Sequence, residues 1–191
     1  MNETLMPTQD ELEEELAHES YKVRFRQVVK NTVFSLITVA AVAVLIATLL
    51  LPILQIYGTS MTPTLKEGNI VVSVKGSNFK QGDIVSFYYN NKILVKRVIA
   101  ESGDWVDIDE SGNVMVNGKP INEPYVSELA YGECDLSLPY QVPDEKLFVM
   151  GDHRATSLDS RSKTIGCVSE EQLVGKIVYK VWPLTEFGKV S

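Results

Sequence analysis

A serine in a tight bend is the first feature of this sequence that could do chemistry. Ser60 lies in YGTSMTPTL, residues 57–65, between Gly58 and Pro63, where the chain is expected to turn. A serine hydroxyl is a poor nucleophile unless a neighbouring base accepts its proton. A catalytic role for Ser60 therefore requires a histidine or a neutral lysine close to it.

The candidate bases are few. Of the two histidines, His18 precedes a long apolar run, so only His153, in MGDHR, lies in the same part of the chain as Ser60. A lysine needs a lowered pKa, because at a reference value near 10.4 only about one lysine in a thousand is neutral near pH 7. Burial disfavours the ammonium and can lower that pKa by up to ~3–5.

The segment KILVKRVIA, residues 92–100, provides such a lysine. Strand alternation places Lys96 on the same face as Leu94 and Val98, and Arg97 on the opposite, equally apolar face. We therefore predict a central strand with Lys96 among buried neighbours. Arg97 cannot lose its proton and is excluded as a base. The alternative is that Lys96 extends to solvent from a strand edge.

A second serine–lysine pair competes with this one. Ser160 and Lys163 form S-R-S-K, which matches the S-x-x-K of penicillin-binding proteins and β-lactamases. That motif lies on a helix, whereas residues 151–163 are expected to form a loop. The companion S-D-N and K-T-G elements are absent from the chain. The sequence therefore favours Ser60 and Lys96.

A long uncharged run separates these residues from the N-terminus. No charged side chain occurs between Lys30 and Lys66, and residues 33–54 are long enough to cross a ~30 Å hydrocarbon core as a helix. A cleaved export signal would have a shorter apolar part ending in small residues, and this run ends LQIYG. We predict an uncleaved anchor over residues 31–56, with a buried core helix as the alternative.

The charges beside this run predict its orientation. Residues 1–20 carry seven acidic side chains and no lysine or arginine, and four lysines or arginines follow between positions 22 and 30. Because positive flanks remain cytoplasmic, the acidic tail and basic flank, residues 1–30, are predicted inside. Residues 57–191 are then predicted outside a single-pass cell-membrane protein. Leu54 and Ser60 are at most ~20 Å apart, so Ser60 is expected near the outer membrane surface.

The region after Ser60 reads as short strands separated by turn signals. Asn90 and Asn91 are predicted to join a hairpin, because asparagine tolerates positive φ, and residues 110–113 to join a second one. Residues 123–141 are predicted to be a long loop or insertion. The expected architecture is mostly β, a coiled sheet or partly closed barrel.

Composition narrows the classes of partner. A formal net charge of −7 over 191 residues argues against a nucleic-acid partner. Cys134 and Cys167 are too few for a disulfide framework, and two free thiols are the favoured interpretation, with their pairing left open.

Four segments, in order, resemble the type I signal peptidases, which are membrane-anchored Ser-Lys proteases that remove signal peptides. SMTPTL at residues 60–65 resembles the nucleophile motif S-M-x-P-T-L. The later motifs are resembled by GDIV at 82–85, KRVIAESGD at 96–104 and VMGDHRATSLDSR at 149–161. The resemblance extends over residues 33–182 and implies the coiled-sheet fold of that family.

The resemblance also implies roles for individual residues. Ser60 matches the nucleophile and Lys96 the general base. Ser157 matches a serine that hydrogen-bonds and orients the lysine amine. Asp159 and Arg161 match an ion pair that braces the site. An exposed pair in a polar loop, contributing little, is the alternative for these last two residues.

Two positions depart from the family pattern. Some members have a serine two residues before the nucleophile that donates to the oxyanion, whereas this chain has Gly58. The oxyanion would then depend on backbone N–H groups, including that of Ser60. His153 occupies a position usually held by asparagine. Members of the endoplasmic-reticulum type use histidine as the base, but here the lysine is present, so we predict a structural role for His153.

The implied function is that of a membrane-bound serine endopeptidase that removes signal peptides from exported preproteins through an acyl-enzyme. No metal or cofactor is expected. The expected partners are preproteins with small residues before the cut, the lipid bilayer and the export translocon. A membrane-anchored β binding module remains the alternative of a different class. A self-cleaving repressor protease would need a DNA-binding domain, and a cell-surface transpeptidase would need a reactive cysteine.

Overall fold

The computed structural model describes residues 8–76 and 78–190. These residues form two compact units, which divide between Ala47 and Thr48. The first unit consists of helix, and the second contains all the strands.

The described part of the N-terminal unit belongs to one long helix, α1 (Gln9–Leu50), which ends three residues beyond the division. Its portion Leu12–Thr48 contains an 18-residue stretch that is long and apolar enough to cross a membrane, by length and composition. The helix begins far earlier than residue 31, the predicted start of the anchor, because the segment ELEEELA is rich in strong helix formers. The Thr38 hydroxyl donates to the Phe34 carbonyl at 2.9 Å, so this polar side chain is satisfied within the helix.

The helix also ends earlier than the anchor that the sequence predicted. We predicted an anchor over residues 31–56, but α1 ends at Leu50 and residues 53–55 form a strand. Pro52 has no amide hydrogen and disfavours helical geometry at the residue before it, which accounts for the break. Membrane insertion of α1 remains a prediction.

The described residues of the second unit form twelve strands. They are β1 (Ile53–Gln55), β2 (Ile70–Val74), β3 (Ile84–Tyr89), β4 (Lys92–Ala100), β5 (Trp105–Ile108), β6 (Val114–Val116), β7 (Lys119–Pro120), β8 (Tyr140–Gln141), β9 (Lys146–Met150), β10 (Val168–Ser169), β11 (Leu173–Trp182) and β12 (Gly188–Lys189).

The strands form two antiparallel sheets. One has the order β1-β2-β11-β3-β4-β9-β10, with β12 paired to β11, and the other has the order β7-β6-β5-β8. The prediction of a mostly β domain is therefore confirmed. The large sheet ends at β1 and β10, and no closed sheet forms among the described residues, so the predicted partial barrel is not seen.

Both predicted hairpins are confirmed. Asn90 and Asn91 join β3 to β4 with φ angles of 42° and 63°, as expected for a two-residue turn. Residues 109–113 join β5 to β6. Residues 121–139, all of which the structure describes, contain no helix or strand and precede the short strand β8.

The core nearest to Ser60 is an apolar cluster in the large sheet. It holds the bend of residues 58–65 in place by burying two of its side chains, Met61 and Leu65, against Ile56 and three strand residues, Val71, Ile84 and Ile177.

A test of this packing is available where β11 crosses β2. A Cβ added at Gly175 would lie 2.5 Å from the Val74 carbonyl oxygen. Gly175→Ala should therefore destabilise the protein by about 1–3 kcal/mol, seen as a lower denaturant midpoint of the detergent-solubilised chain. Gly188→Ala is the control, since nothing lies within 4 Å of a Cβ there. Equal midpoints for the two variants would contradict the close approach.

Candidate active site

The bend that carries Ser60 is anchored by its apolar neighbours. Met61 and Leu65 are 2% and 0% exposed, and the Leu65 amide donates to the Met61 carbonyl at 2.8 Å. The Thr62 hydroxyl and amide both donate to the Thr59 carbonyl, at 2.7 and 3.0 Å. Ser60 lies half-buried between these fixed points, so the bend presents its hydroxyl in one place.

Gly58 has a φ of +80°, in the left-handed region, and nothing lies within 4 Å of a Cβ built on it. Backbone conformation, and not crowding, therefore requires glycine here. A serine would be strained at this φ, which explains why no side-chain donor occupies the position.

Lys96 lies in the middle of the large sheet. Its strand β4 is paired on one side with β3, where Lys96 faces Val85, and on the other side with β9. Lys96 is 4% exposed, and its Nζ lies 2.7 Å from Ser60 Oγ, with which it forms a hydrogen bond. The predicted burial of Lys96 is confirmed, and the alternative in which it extends to solvent is wrong.

Burial lowers the pKa of Lys96 from its ordinary value of 10.5. The negative charge of Asp159 acts in the opposite direction, Arg161 adds to the lowering, and Asp152 again raises the pKa. The net direction is downward, so loss of hydration outweighs the neighbouring carboxylates. The amine is therefore neutral more often than that of an exposed lysine.

Asp159 and Arg161 form a fully buried ion pair. Arg161 donates to both carboxylate oxygens, at 2.8 and 2.9 Å, and both side chains are 0% exposed. Arg161 also donates to the Arg154 and Tyr131 carbonyls, at 2.9 and 2.8 Å, and Asp159 accepts from the Gly151 amide at 3.0 Å. The alternative of an exposed surface pair is wrong, because the pair fixes three backbone segments.

Ser157 reaches the site but does not make the expected hydrogen bond. It is 3% exposed, and its Oγ has no hydrogen-bond partner within the described residues. A Cβ on Gly151 would overlap both the Ser157 side chain and the Ser60 carbonyl, so all three are in close contact. The implied Ser157–Lys96 bond is corrected: in this conformation the amine contacts Ser60, and the Ser157 hydroxyl is left unpaired.

His153 supports the bend through its backbone. Its amide donates to the Ser60 carbonyl at 3.1 Å, and its Nδ1 lies 2.8 Å from the Thr156 hydroxyl. These contacts accord with a structural role.

Sequence reasoning missed Asp152. Arg97 donates to its two carboxylate oxygens at 2.9 and 2.8 Å, and these side chains are 2% and 0% exposed. The Thr64 hydroxyl donates to the same carboxylate at 2.5 Å, which ties the Ser60 bend to this pair. A signal was present, because an arginine on an apolar strand face must find a carboxylate.

The competing pair is not arranged for catalysis. The Ser160 hydroxyl accepts from the Val149 amide at 3.0 Å and donates to the Gly166 carbonyl at 2.8 Å. Lys163 is exposed, and residues 160–165 form turns in place of the helix that S-x-x-K requires.

A cleft of about 80 Å³ opens beside Ser60 and Lys96. Residues 55–58 line one side and residues 93–96 the other. The pairing of β4 with β9 starts at Arg97, so the part of β4 before it has a free edge facing this cleft. Such an edge can bind an extended peptide.

Cys134 and Cys167 are free thiols, as predicted. Burial raises the pKa of Cys167 to about 11, so its thiol stays protonated near neutral pH. This thiol lacks the lowered pKa of a reactive cysteine.

Comparison with known proteins identifies the family. The family model described as signal peptidase, peptidase S26, matches residues 29–182. The chain belongs to this family. Membership makes it a hydrolase of the serine protease class.

Individual signal peptidases are similar over most of the chain. Signal peptidase I of Bacillus amyloliquefaciens is 33% identical over 184 residues, which cover 91% of this chain and 98% of that protein. Signal peptidase IB of Staphylococcus aureus strain COL is 37% identical over 152 residues, covering 69% and 78%. A crystal structure of a signal peptidase I from Enterococcus faecalis V583 superposes with a TM-score of 0.45 at 24% identity, covering 52% of this chain and 97% of that one.

The buried ion pair makes a specific prediction. Asp159→Asn leaves the Arg161 charge buried without its carboxylate, which should cost about 3–5 kcal/mol of unfolding free energy. The measurement is chemical unfolding of the detergent-solubilised chain. Glu186→Gln, which removes only the exposed pairs with Lys66 and Lys180, is the control and should shift the midpoint far less. Similar shifts for both variants would argue against a structural role for the buried pair.

Proposed function

We propose that this signal peptidase is a membrane-bound endopeptidase that removes N-terminal signal peptides from exported preproteins, with Ser60 as nucleophile and Lys96 as general base. The observation that carries the proposal is the buried amine of Lys96, 2.7 Å from the Ser60 hydroxyl. Membership of the family supports it.

The proton moves along the Lys96–Ser60 contact. When Lys96 is neutral, the Ser60 hydroxyl donates to the nitrogen lone pair, and the proton passes to Nζ as Oγ attacks the scissile carbonyl carbon. The resulting ammonium is stabilised by the negative charge of Asp159. The unpaired Ser157 hydroxyl is close to this site and can accept a hydrogen bond from the ammonium, which would give it a role only after proton transfer.

Collapse of the tetrahedral intermediate completes acylation. Lys96 returns the proton to the leaving amine, the peptide bond breaks, and the signal peptide remains esterified to Ser60. The neutral amine then takes a proton from water, whose oxygen attacks the ester carbonyl. Ser60 regains its proton as the signal peptide leaves as a free carboxylate.

Backbone groups stabilise the oxyanion. Within the described residues the Ser60 amide donates no hydrogen bond, so it is free to donate to the developing negative charge. Gly58 offers no side-chain donor. Removing one donor from such a site costs about 2.7–4 kcal/mol of transition-state stabilisation, so the Ser60 amide has a large share of this task.

The cleft selects the substrate. An extended signal-peptide segment adds to the free edge of β4 at residues 92–96, and its alternate side chains point toward the cleft. The cleft beside Ser60 is small, which favours small side chains at the first and third positions before the cut.

The long helix supports a location of the enzyme at the membrane. Four basic residues precede its apolar part, which favours a cytoplasmic N-terminus and a catalytic unit outside the cell membrane. The bilayer and the export translocon are then the partners that bring the preprotein to the site.

Substitution of the two catalytic residues tests the dyad. Ser60→Ala and Lys96→Ala should each lower cleavage of a secretory precursor in membrane vesicles by about 10³-fold or more, because nucleophile and base act as a unit. His153→Ala should retain much of the activity, since only its backbone contacts Ser60. Near-normal cleavage by Lys96→Ala would reject the mechanism.

The lowered pKa of Lys96 predicts two pH dependences. The acid limb of kcat/KM should lie below 10.5, the ordinary lysine value. Between the native and the unfolded pKa the native state binds fewer protons, so unfolding free energy should rise with pH across that interval. Lys96→Met removes this titration, and urea unfolding at stepped pH should show a smaller rise than in the parent. An identical rise in both proteins would contradict a depressed pKa.

A further inference from the structure

The loop between β7 and β8, residues 121–139 and here called the strap, contacts the segments that hold Ser60. We propose that Glu123 and Tyr125 of the strap are positioning residues that keep Ser60 in register with Lys96. The inference rests on the proposed function. It assigns a role to the sequence E-P-Y, which lies outside the four motifs that resemble the family.

Glu123 acts through Arg154. The Arg154 guanidinium donates from Nη1 to Glu123 Oε2 at 3.0 Å and from Nη2 to Oε1, and these side chains are 0% and 6% exposed. The same arginine donates from Nε to the Gly151 carbonyl at 3.1 Å. Removing Glu123 would leave a buried cation without a counter-charge and free it to move away from Gly151.

Tyr125 acts through Arg97. Its ring lies against the Arg97 guanidinium, whose central carbon Cζ is 3.8 Å from the ring centroid. The Tyr125 hydroxyl donates to Glu123 Oε1 at 2.9 Å. Burial, together with the charge of Glu123, raises the pKa of Tyr125, so the hydroxyl remains a donor. Arg97 in turn holds Asp152. Glu123 and Tyr125 thus hold both residues, 151 and 152, of one short segment.

Residues 151–153 are in direct contact with the bend of residues 58–65 that carries Ser60. A Cβ on Gly151 would lie 2.5 Å from the Ser60 carbonyl oxygen, and the His153 amide donates to that same oxygen at 3.1 Å. Asp152 accepts from the Thr64 hydroxyl at 2.5 Å, at the far end of the bend. A shift of residues 151–153 must therefore move the Ser60 backbone.

The expected loss of catalytic rate follows from the geometry of Ser60 and Lys96. Lys96 is fixed by the centre of the sheet, so movement of the bend changes the Ser60–Lys96 separation directly. A misplacement of about 1 Å in an active site can cost ~10²-fold in rate. Loosening the strap should thus lower kcat, while the peptide-binding edge of β4 is left as it is.

The experiment compares Glu123→Gln and Tyr125→Phe with Glu128→Gln, a matched change on an exposed position of the strap. The full chain in detergent is assayed on a peptide that spans a signal-peptide cleavage site. Active serine is titrated with an acylating penem-type inhibitor, so that kcat is expressed per reactive Ser60. Thermal unfolding is recorded for each variant.

Glu123→Gln should lower kcat per titrated serine about 10-fold or more, with KM within about two-fold of the parent. Tyr125→Phe keeps the ring over Arg97 and should lower kcat about 2–5-fold without a lower unfolding temperature. Glu128→Gln should match the parent in all three readouts.

A strap that stabilises the fold without positioning Ser60 would give a different result. The titratable fraction would then fall while kcat per titrated serine stayed at the parent value, which would overturn the inference. If Glu123→Gln does not fold, Tyr125→Phe decides, and a parental kcat per site in that variant is equally fatal. A parent that neither cleaves the peptide nor reacts with the inhibitor would instead overturn the proposed function, and this inference with it.

Discussion

The arrangement around Ser60 depends on keeping one lysine amine out of water. Lys96 is 4% exposed, in a strand that pairs with β3 along its length and with β9 from the next residue, Arg97, onward. Loss of hydration is the largest influence on its pKa and lowers it, against the attraction of Asp159. An exposed loop would leave the amine hydrated, so the packing around this part of the sheet sets the chemistry.

Buried arginines give the site its rigidity. Arg97, Arg154 and Arg161 each pair with a carboxylate, and all three are at most 2% exposed in their side chains. Such pairs often add little net stability, because removing two charges from water is costly. Their remaining donors bind backbone carbonyls, including those of Gly82 and Gly151. They therefore fix backbone segments that have no regular structure of their own.

An open strand edge lies beside the segments that the buried arginines fix. β4 is unpaired on the β9 side before Arg97, directly beside Ser60 and Lys96. Exposed edges invite unwanted pairing, and here the free part is short and ends at the first β9 contact. A substrate strand can bind at this edge, and the segments fixed by the buried arginines hold the reacting groups beside it.

The sequence alone determined the features that depend on residues close together in the chain. Alternation in KILVKRVIA predicted the central strand and the burial of Lys96, Asn90-Asn91 predicted a hairpin, and the uncharged run predicted a long helix. Only the tertiary structure decided the rest: that Arg97 meets Asp152 and Arg154 meets Glu123, that Ser157 is left unpaired, and that residues 53–55 join the sheet. Periodicity and turn chemistry act within a few residues. Contacts between residues 15 or more apart depend on strand order, such as the insertion of β11 between β2 and β3, which no local pattern records.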